Sequence, residues 1–307
     1  YNAHFAAQIY ETQPPSPPGE FNYLDQRGLE GFVLAITPFN FTAIGGNLPA
    51  APALMGNTVV WKPAATAALS NYMVMRLLQE AGLPPGVINF VPGDSQQISA
   101  RLLSDRSLAG IHFTGSTGVF QGLWKEVASR LDHYDSYPRL VGETGGKDFI
   151  AAHPSADAEA LAVAMVRGSY EYQGQKCSAA SRAYVPQSLW PRVKERVLEM
   201  IAELKMGDVA DFRNFMGAVI DAKSFAKITG YLDQARKDRG VTILAGGGAD
   251  DTKGWFIEPT LIQVKNPQYR TMCEELFGPV LTVYVYPDKE WKGTLNLVNS
   301  TSPYALT

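Results

Sequence analysis

The sequence contains 307 residues, which is enough for one large domain or for two domains with separate cores. Hydrophobic residues make up 46% and charged residues 19% of the chain, as in ordinary globular proteins, and the formal net charge of −3 argues against a surface for nucleic acid or anionic lipid. Two cysteines do not form a disulfide framework, and no apolar run reaches the roughly 20 residues of a membrane span, so we expect a protein of a reducing compartment without a nucleic-acid or membrane partner.

The first part of the sequence alternates short apolar runs with amphipathic stretches. After a helical start and the proline-rich segment TQPPSPPGEFNY, the predicted strands are 31–41, 58–63, 87–93 and 108–116, and the predicted helices are 47–57, 67–82, 95–105 and 117–131. The segment RLVGETGG (139–146) follows them. Apolar strands that alternate with helices are typical of a parallel sheet covered on both faces. We therefore predict an α/β fold with a doubly wound, Rossmann-like cofactor domain over residues 1–142.

A second α/β pattern follows, and it carries one of the two cysteines. The predicted helices are 156–174, 190–207 and 221–240, and strands are predicted at 181–187 and from 241 onward. Cys177 follows the first of these helices. We predict a separate catalytic α/β domain over residues 143–307. The sequence begins without Met, so we expect an internal piece of a longer polypeptide, truncated at both ends.

Several polar residues follow predicted strands of the first domain, where open parallel sheets bind their ligands. Gly115 and Ser116 stand between a strand and a helix, where backbone N–H groups favour a phosphate. Lys62 ends the neighbouring strand, within reach of a ribose or phosphate. The amide of Asn40 could stabilise an oxyanion, and Glu143 could act as a general base. Taken singly, each is more readily explained as part of a turn or as a surface charge.

The second domain offers a thiol and a glutamate-containing turn. Cys177, within YEYQGQKCSAASR, is either a small buried side chain or a thiolate nucleophile. Glu275 and Phe277 precede a Gly-Pro turn in EELFGPV, which is either a ligand contact or a packed turn. Cys273 is interpreted as a small buried thiol.

Taken together, these stretches resemble the aldehyde dehydrogenase superfamily. Six family patterns occur here in the same order and at similar spacing: P-[WF]-N, W-K-P, F-T-G-S, E-x-G-G-K, G-Q-x-C and E-[IL]-F-G-P-V. The similarity extends from about Gly31 to the end of the chain. The stretches ITPFNFTAIGGNLPAAPALMGNTVVWKP and YPRLVGETGGKDF, with Phe39 and Ser178, resemble the branch that oxidises L-glutamate γ-semialdehyde.

The resemblance implies a chemistry and a set of residues for it. Cys177 is implied as the nucleophile, Asn40 as the oxyanion donor and Glu143 as the base that activates water. The cofactor implied is NAD, without a metal, although Ala65 stands where many NAD-preferring relatives carry an acidic residue. The residues implied to bind NAD are Thr37, Pro38, Phe39, Lys62, Gly115, Ser116, Glu275 and Phe277. Those implied to contact the small-molecule substrate are Phe39, Lys176 and Ser178.

The resemblance also implies a homo-oligomer, and the similarity to bacterial members implies the cytoplasm, with the mitochondrial matrix as the alternative for a eukaryotic source. Three other interpretations stay open. The protein could oxidise a succinate-semialdehyde or betaine-aldehyde type of substrate, or it could be the dehydrogenase module of a bifunctional proline-utilisation protein. A scaffold that has lost catalysis is a third interpretation, against which intact Cys177, Glu143 and Asn40 argue.

Overall fold

The structure is a computed structural model that describes residues 1–307. The chain divides into two compact units, Tyr1–Thr144 and Gly145–Thr307. The boundary predicted from the sequence lies slightly earlier, after residue 142. The difference arises because the last strand of the first unit runs on through Thr144.

The first unit is built on a five-stranded sheet in which every pair of neighbours is parallel. In chain order the strands are β1 (Phe32–Ile36), β2 (Thr58–Lys62), β3 (Ile88–Phe90), β4 (Leu108–Gly115) and β5 (Arg139–Thr144). The helices are α1 (Asn2–Glu11), α2 (Thr42–Leu54), α3 (Ala68–Glu80), α4 (Ser95–Leu103) and α5 (Thr117–Ala128). The spatial order β3-β2-β1-β4-β5 is that of a Rossmann-type sheet, which confirms the predicted fold class.

Both faces of this sheet are buried, as the alternation of residues along β1 shows. Val33 and Ala35 belong to one hydrophobic cluster, which includes Met75 of α3. Leu34 and Ile36 belong to a second cluster, which also contains residues of α5. A strand that packs on both faces needs apolar residues at every position, and this accounts for the continuous run FVLAI.

The second unit contains a mixed five-stranded sheet and a short hairpin. Its strands are β6 (Phe149–Ala151), β7 (Arg182–Pro186), β8 (Val241–Ala245), β9 (Ala249–Asp250), β10 (Phe256–Ile257), β11 (Thr260–Val264) and β12 (Val280–Tyr286). Its helices are α6 (Ala158–Tyr170), α7 (Trp190–Glu203), α8 (Ala222–Lys237), α9 (Arg270–Cys273) and α10 (Trp291–Thr301). The large sheet has the order β6-β7-β12-β11-β8; only β8 runs antiparallel to its neighbour, and β9 and β10 form the hairpin.

The core of the second unit is arranged in the same way. Ala183 and Val185 of β7 pack in a cluster with residues of α6 and α7, whereas Tyr184 belongs to a cluster with residues of α8 and α10. None of the helices in either unit combines the length and the apolar composition that crossing a membrane requires.

Three predicted elements differ from the structure more than the others do in their bounds. The first strand ends at Ile36 rather than at residue 41, because Pro38 has no N–H to continue the ladder. Helix α2 begins at Thr42 rather than at residue 47, so it includes the Gly45–Gly46 pair. Helix α6 ends at Tyr170, and Glu171–Gly174 form a separate 3₁₀ turn.

Candidate active site

The parallel register of the first sheet aligns the ends of four strands. Lys62, Ile36, Phe113 and Gly142 lie in one cross-strand row on β2, β1, β4 and β5. Since the strands are parallel, the segments that follow this row emerge at the same edge of the sheet. The predicted residues of the first unit that lie at or beyond the row are Thr37, Pro38, Phe39, Asn40, Lys62, Gly115, Ser116 and Glu143.

Lys62 is an unusual residue for a strand end because its side chain is only 6% exposed. Burial lowers the pKa of its ammonium group, and the negative charge of Asp94 opposes that shift in part. Asp94 is the N-cap of α4 and accepts hydrogen bonds from the backbone of Gln96 and Gln97. The site therefore has a positive group at the strand end and a negative group nearby.

Thr37 is also buried, and its polar groups already have partners. The indole Nε1 of Trp61 donates to Thr37 Oγ1 over 3.0 Å, and Thr37 N donates to the Lys62 carbonyl over 3.2 Å. These bonds fix the segment that leads from β1 to α2. Pro38, Phe39 and Asn40 in that segment are partly buried, and their predicted roles stay predictions.

The turn after β4 has the features of an anion site. Ser116 is the N-cap of α5, and its hydroxyl accepts from Val119 N over 3.4 Å. The first turn of α5 contains no acidic residue. A Cβ on Gly115 would lie 2.6 Å from Cζ of Phe113, so the turn needs glycine here. Free N–H groups and the dipole of a 12-residue helix suit a phosphate oxygen.

Glu143 is on β5, next to this turn in the sheet. It is in register with Thr114 of β4, and its side chain is partly buried. A carboxylate at this edge is suited to accept a proton from water, which is the role predicted for it.

In the second unit, Cys177 lies on a turn, and the residues that lead into the turn have a constrained backbone conformation. Tyr172, Gln173 and Gly174, which precede it, all have positive φ, at 55°, 57° and 63°. A Cβ on Gly174 would lie 2.4 Å from the carbonyl oxygen of Gly278, so glycine is required there for space as well as for conformation. Left-handed non-glycine residues are uncommon and cluster at functional sites.

The side chains of Lys176 and Ser178, on either side of Cys177, differ in how accessible they are to a substrate. The Lys176 ammonium donates to Glu171 over 2.6 Å, and Arg167 contacts the other oxygen of Glu171 over 2.8 Å. The hydrogen bond from Lys176 is the main reason why the pKa of Glu171 is lowered. Ser178, by contrast, is exposed. Of the two predicted substrate contacts here, Ser178 thus has the more accessible side chain.

The turn after α9 meets the Cys177 turn within the second unit. Lys176, Glu275 and Phe277 line one small cavity together with Gly146. Gly146 N donates to Glu275 Oε1 over 3.2 Å, and the Lys227 ammonium donates to the Glu275 carbonyl over 2.7 Å. Burial raises the pKa of Glu275.

Phe277 of this turn has a positive φ of 59°. The structure therefore brings Lys176 together with Glu275 and Phe277, which lie roughly 100 residues further along the chain.

Sequence reasoning missed a buried charge cluster in the same unit. Lys147 is 1% exposed, and its ammonium nitrogen has no hydrogen-bond partner. Burial lowers the pKa of Lys147 to about 7, with a further contribution from the positive charge of Arg182. Arg182 Nε donates to the Lys147 carbonyl over 2.9 Å, which ties β7 to the segment before β6. The motif G-G-K contained Lys147 but gave no indication that it is buried.

The donors at the strand ends suit a dinucleotide. A buried ammonium group and a helix N-terminus are the groups that bind ribose hydroxyls and phosphate oxygens. No group of three or more His, Cys, Asp or Glu side chains is arranged to hold a metal ion. The fold thus defines an α/β protein with a Rossmann-type sheet and a second unit that presents a cysteine on a constrained turn.

Comparison with known proteins gives the family. The model of the aldehyde dehydrogenase family matches residues 1–307, so the chain belongs to this family.

Its relatives include the delta-1-pyrroline-5-carboxylate dehydrogenase, mitochondrial, of Homo sapiens, which is 54% identical over 308 residues and is matched by 100% of this chain. The chain spans about half the length of the curated relatives it matches, 55% in the human case.

Two solved structures are similar throughout the chain. The delta-pyrroline-5-carboxylate dehydrogenase from Mycobacterium tuberculosis bound with NAD has a TM-score of 0.94 and 51% sequence identity, and the match covers 99% of this chain and 56% of that one. The 1-pyrroline-5-carboxylate dehydrogenase from Thermus with bound NAD has a TM-score of 0.85 and 32% identity, with coverages of 99% and 58%.

Proposed function

We propose that the protein containing this chain oxidises L-glutamate γ-semialdehyde, formed from 1-pyrroline-5-carboxylate, to L-glutamate with NAD⁺ as the oxidant. The observation that carries the proposal is a cysteine on a constrained turn in a chain that is 54% identical, along its whole length, to a human enzyme named for this substrate. The NAD in the similar Mycobacterium tuberculosis structure supports the cofactor.

Cys177 has the central role in the proposed reaction. Its thiolate attacks the aldehyde carbon and forms a thiohemiacetal, whose oxyanion is held by the amide of Asn40 and the backbone N–H of Cys177. Bound NAD⁺ would supply the acceptor for the hydride that leaves this carbon, and Cys177 would then carry the product as a thioester. Glu143 then removes a proton from the water that hydrolyses the thioester, and Cys177 is released as thiolate.

The residues at the strand ends of the first unit are proposed to hold the cofactor. Lys62 would donate to a ribose hydroxyl, and the N-terminus of α5 at Ser116 would hold the pyrophosphate. Glu275 would accept from the nicotinamide ribose, with Phe277 beside the ring. The burial of Lys62 and the partial burial of Glu275 support these roles, because both groups would gain hydrogen bonds that water does not supply.

Assembly and location are also proposals. We propose a homo-oligomer from the family resemblance of the sequence. The human relative is named as mitochondrial. We therefore propose the mitochondrial matrix for a eukaryotic source of this chain and the cytoplasm for a bacterial one.

One assay tests the proposed activity. NADH formation by the full-length protein should be measured with L-glutamate γ-semialdehyde, succinate semialdehyde, betaine aldehyde and propionaldehyde. We expect the first substrate to have the highest kcat/KM. Cys177→Ala should abolish turnover, whereas Cys273→Ala should retain it, because only the first variant lacks the covalent intermediate. Equal turnover by Cys177→Ala and the wild type would disprove the mechanism.

A second assay tests the carboxylate contact of Ser178. The substrate carboxylate must replace its water with donors, and a hydroxyl bond to a charged acceptor contributes about 1.5–3 kcal/mol. Ser178→Ala should therefore lower kcat/KM for L-glutamate γ-semialdehyde about tenfold to a hundredfold. Propionaldehyde, which has no carboxylate, serves as the control. Equal losses on both aldehydes would show that Ser178 only supports the cysteine turn.

A further inference from the structure

Two buried glutamines flank the glycine that precedes the cysteine turn. Gln173 is 7% exposed and Gln175 is 1% exposed. A fully buried amide is costly unless its polar atoms have partners. In both residues the partners are backbone groups of one segment, residues 217–220, which lies between α7 and α8.

The side-chain amide of Gln173 makes two hydrogen bonds to this segment. Its Oε1 accepts from Gly217 N over 2.9 Å, and its Nε2 donates to the Ala218 carbonyl over 3.2 Å. Gln175 adds one bond further along, because its Oε1 accepts from Ile220 N over 2.9 Å. The two side chains therefore form hydrogen bonds with three backbone groups of residues 217–220.

The receiving segment is itself held by other parts of the second unit. Gly207 N donates to the Met216 carbonyl over 3.1 Å, and Val219 N donates to the Trp255 carbonyl over 2.9 Å. Residues 216–220 are thus hydrogen-bonded on more than one side. A segment fixed in this way can serve as a rigid support for the glutamines.

The hydrogen bonds of the two glutamines lie at the residues with unusual backbone conformations. Tyr172, Gln173 and Gly174 have left-handed conformations in succession, which short polar loops adopt only when surrounding contacts hold them there. Cys177 follows three residues after Gly174, in a turn closed by Ala179 N donating to the Lys176 carbonyl over 3.1 Å. The position of the thiol therefore depends on the conformation of residues 172–175.

We propose that Gln173 and Gln175 are positioning residues that hold the Cys177 turn against residues 217–220. We call these three hydrogen bonds to residues 217–220 the glutamine clamp. The inference rests on the proposed function, since the residue that the clamp positions is the proposed nucleophile. A misplacement of about 1 Å can lower the rate of an oriented reaction about a hundredfold. Loss of the clamp should therefore reduce kcat without a matching change in cofactor binding.

The test uses the full-length protein with Gln173→Leu, Gln175→Leu and Gln175→Glu. The glutamate variant keeps an acceptor oxygen for Ile220 N, whereas the leucine variants keep only the approximate volume. The control is Gln263→Leu on β11, because Gln263 also accepts a partly buried hydrogen bond, from Trp190 Nε1 over 3.2 Å, but makes no bond to residues 217–220. The first readout is amide hydrogen exchange in residues 171–180, and the second is kcat and the KM for NAD⁺.

We expect faster exchange in residues 171–180 and a kcat reduced about tenfold to a hundredfold in both leucine variants, with the KM for NAD⁺ within about twofold of wild type. Gln175→Glu should restore much of both properties relative to Gln175→Leu, and Gln263→Leu should change neither. Unchanged exchange in the leucine variants would overturn the clamp, whether or not the protein oxidises an aldehyde. Faster exchange with an unchanged kcat, or an equal loss in Gln263→Leu, would overturn its positioning role.

Discussion

A lysine ammonium group that is buried and has no hydrogen-bond partner opposes folding unless the amine gives up its proton. Lys147 is such a residue. Arg182 and Lys227 also disfavour its charge, while Glu275 and Cys273 favour it, and the sum lowers the pKa of Lys147 to about 7. In the unfolded chain a lysine has a pKa of about 10.4. At a pH between these two pKa values, the Lys147 amine is protonated in the unfolded chain and neutral in the folded protein.

Lys147 therefore predicts a particular dependence of stability on pH. Because the folded-state pKa is lowered, stability rises as the pH increases from about 7 towards about 10, by about 1.4 kcal/mol per pH unit from this group. Lys147→Met removes the titrating group and should stabilise the protein near neutral pH by about 1–4 kcal/mol, as for other buried charges replaced by apolar residues. Urea denaturation of both proteins at about pH 7.5 and about pH 9.5 measures this, and the advantage of the variant should shrink at the higher pH. A constant difference would mean that Lys147 does not titrate in this range.

Glu143 gives a second prediction at the level of one residue. Glu143→Gln preserves the size of the side chain but removes the proposed base, which should slow thioester hydrolysis about a hundredfold or more while hydride transfer continues. Rapid mixing with NAD⁺ and aldehyde should show a burst of NADH followed by a slow steady state. Loss of the burst in a variant that still binds NAD⁺ would assign Glu143 to an earlier step.

At the scale of single elements, α2 shows how packing overrides local preference. A Cβ on Gly45 would lie 2.1 Å from Oδ1 of Asn71, which is 1% exposed on α3. The two helices therefore approach each other closely at this glycine.

Gly45→Ala should destabilise the protein by about 1–3 kcal/mol, because the extra methyl group must displace a buried side chain. Gly122→Ala in α5 is the matched control, since a Cβ there meets nothing within 4 Å and alanine favours the helix. Thermal unfolding of both variants compares them directly. A Gly45→Ala variant as stable as Gly122→Ala would show that α2 and α3 can separate at little cost.

The same helix explains part of what the sequence could and could not predict. The stretch NLPAAPALMGN predicted a start for α2 at residue 47, whereas the helix begins at Thr42 and includes Gly45, which lies close to Asn71 of α3. Strands such as β1 and β2 were predictable, since continuous apolar runs identify a sheet buried on both faces. The short strand β6 and the antiparallel β8–β11 pairing depend on partners distant in sequence, and no local pattern encodes those.

The candidate site was also predictable only in part from the sequence. The motif residues were identified from their order in the chain, and the strand register places those of the first unit at one edge of the sheet. The roles of the two glutamines were not predictable, because their partners, residues 217–220, lie about 45 residues away and bear no related motif.

At the scale of the whole molecule, cofactor binding should be separable from the cysteine chemistry. Ligand that binds only the folded state stabilises it, by about 2.7 kcal/mol at a hundred times its Kd. NAD⁺ should therefore raise the Tm of wild type and of Cys177→Ala to a similar extent. Lys62→Met should weaken NAD⁺ binding about tenfold to a hundredfold, since it removes a charged donor. Differential scanning fluorimetry against NAD⁺ concentration gives both results, and an unchanged Kd in Lys62→Met would remove that lysine from the cofactor site.

The order of strands in the two sheets also determines how long some strand edges stay unpaired while the chain is synthesised. β1 pairs on one side with β4, which is synthesised roughly 75 residues later, so at about 5–20 residues per second that edge of β1 waits for roughly 4–15 seconds. β7 pairs with β12 after roughly 100 residues, a wait of about 5–20 seconds. An unpaired apolar strand edge is a template for joining another nascent chain. Translation that pauses before β4 or before β12 should therefore leave the chain most dependent on chaperones, at two separate times during its synthesis.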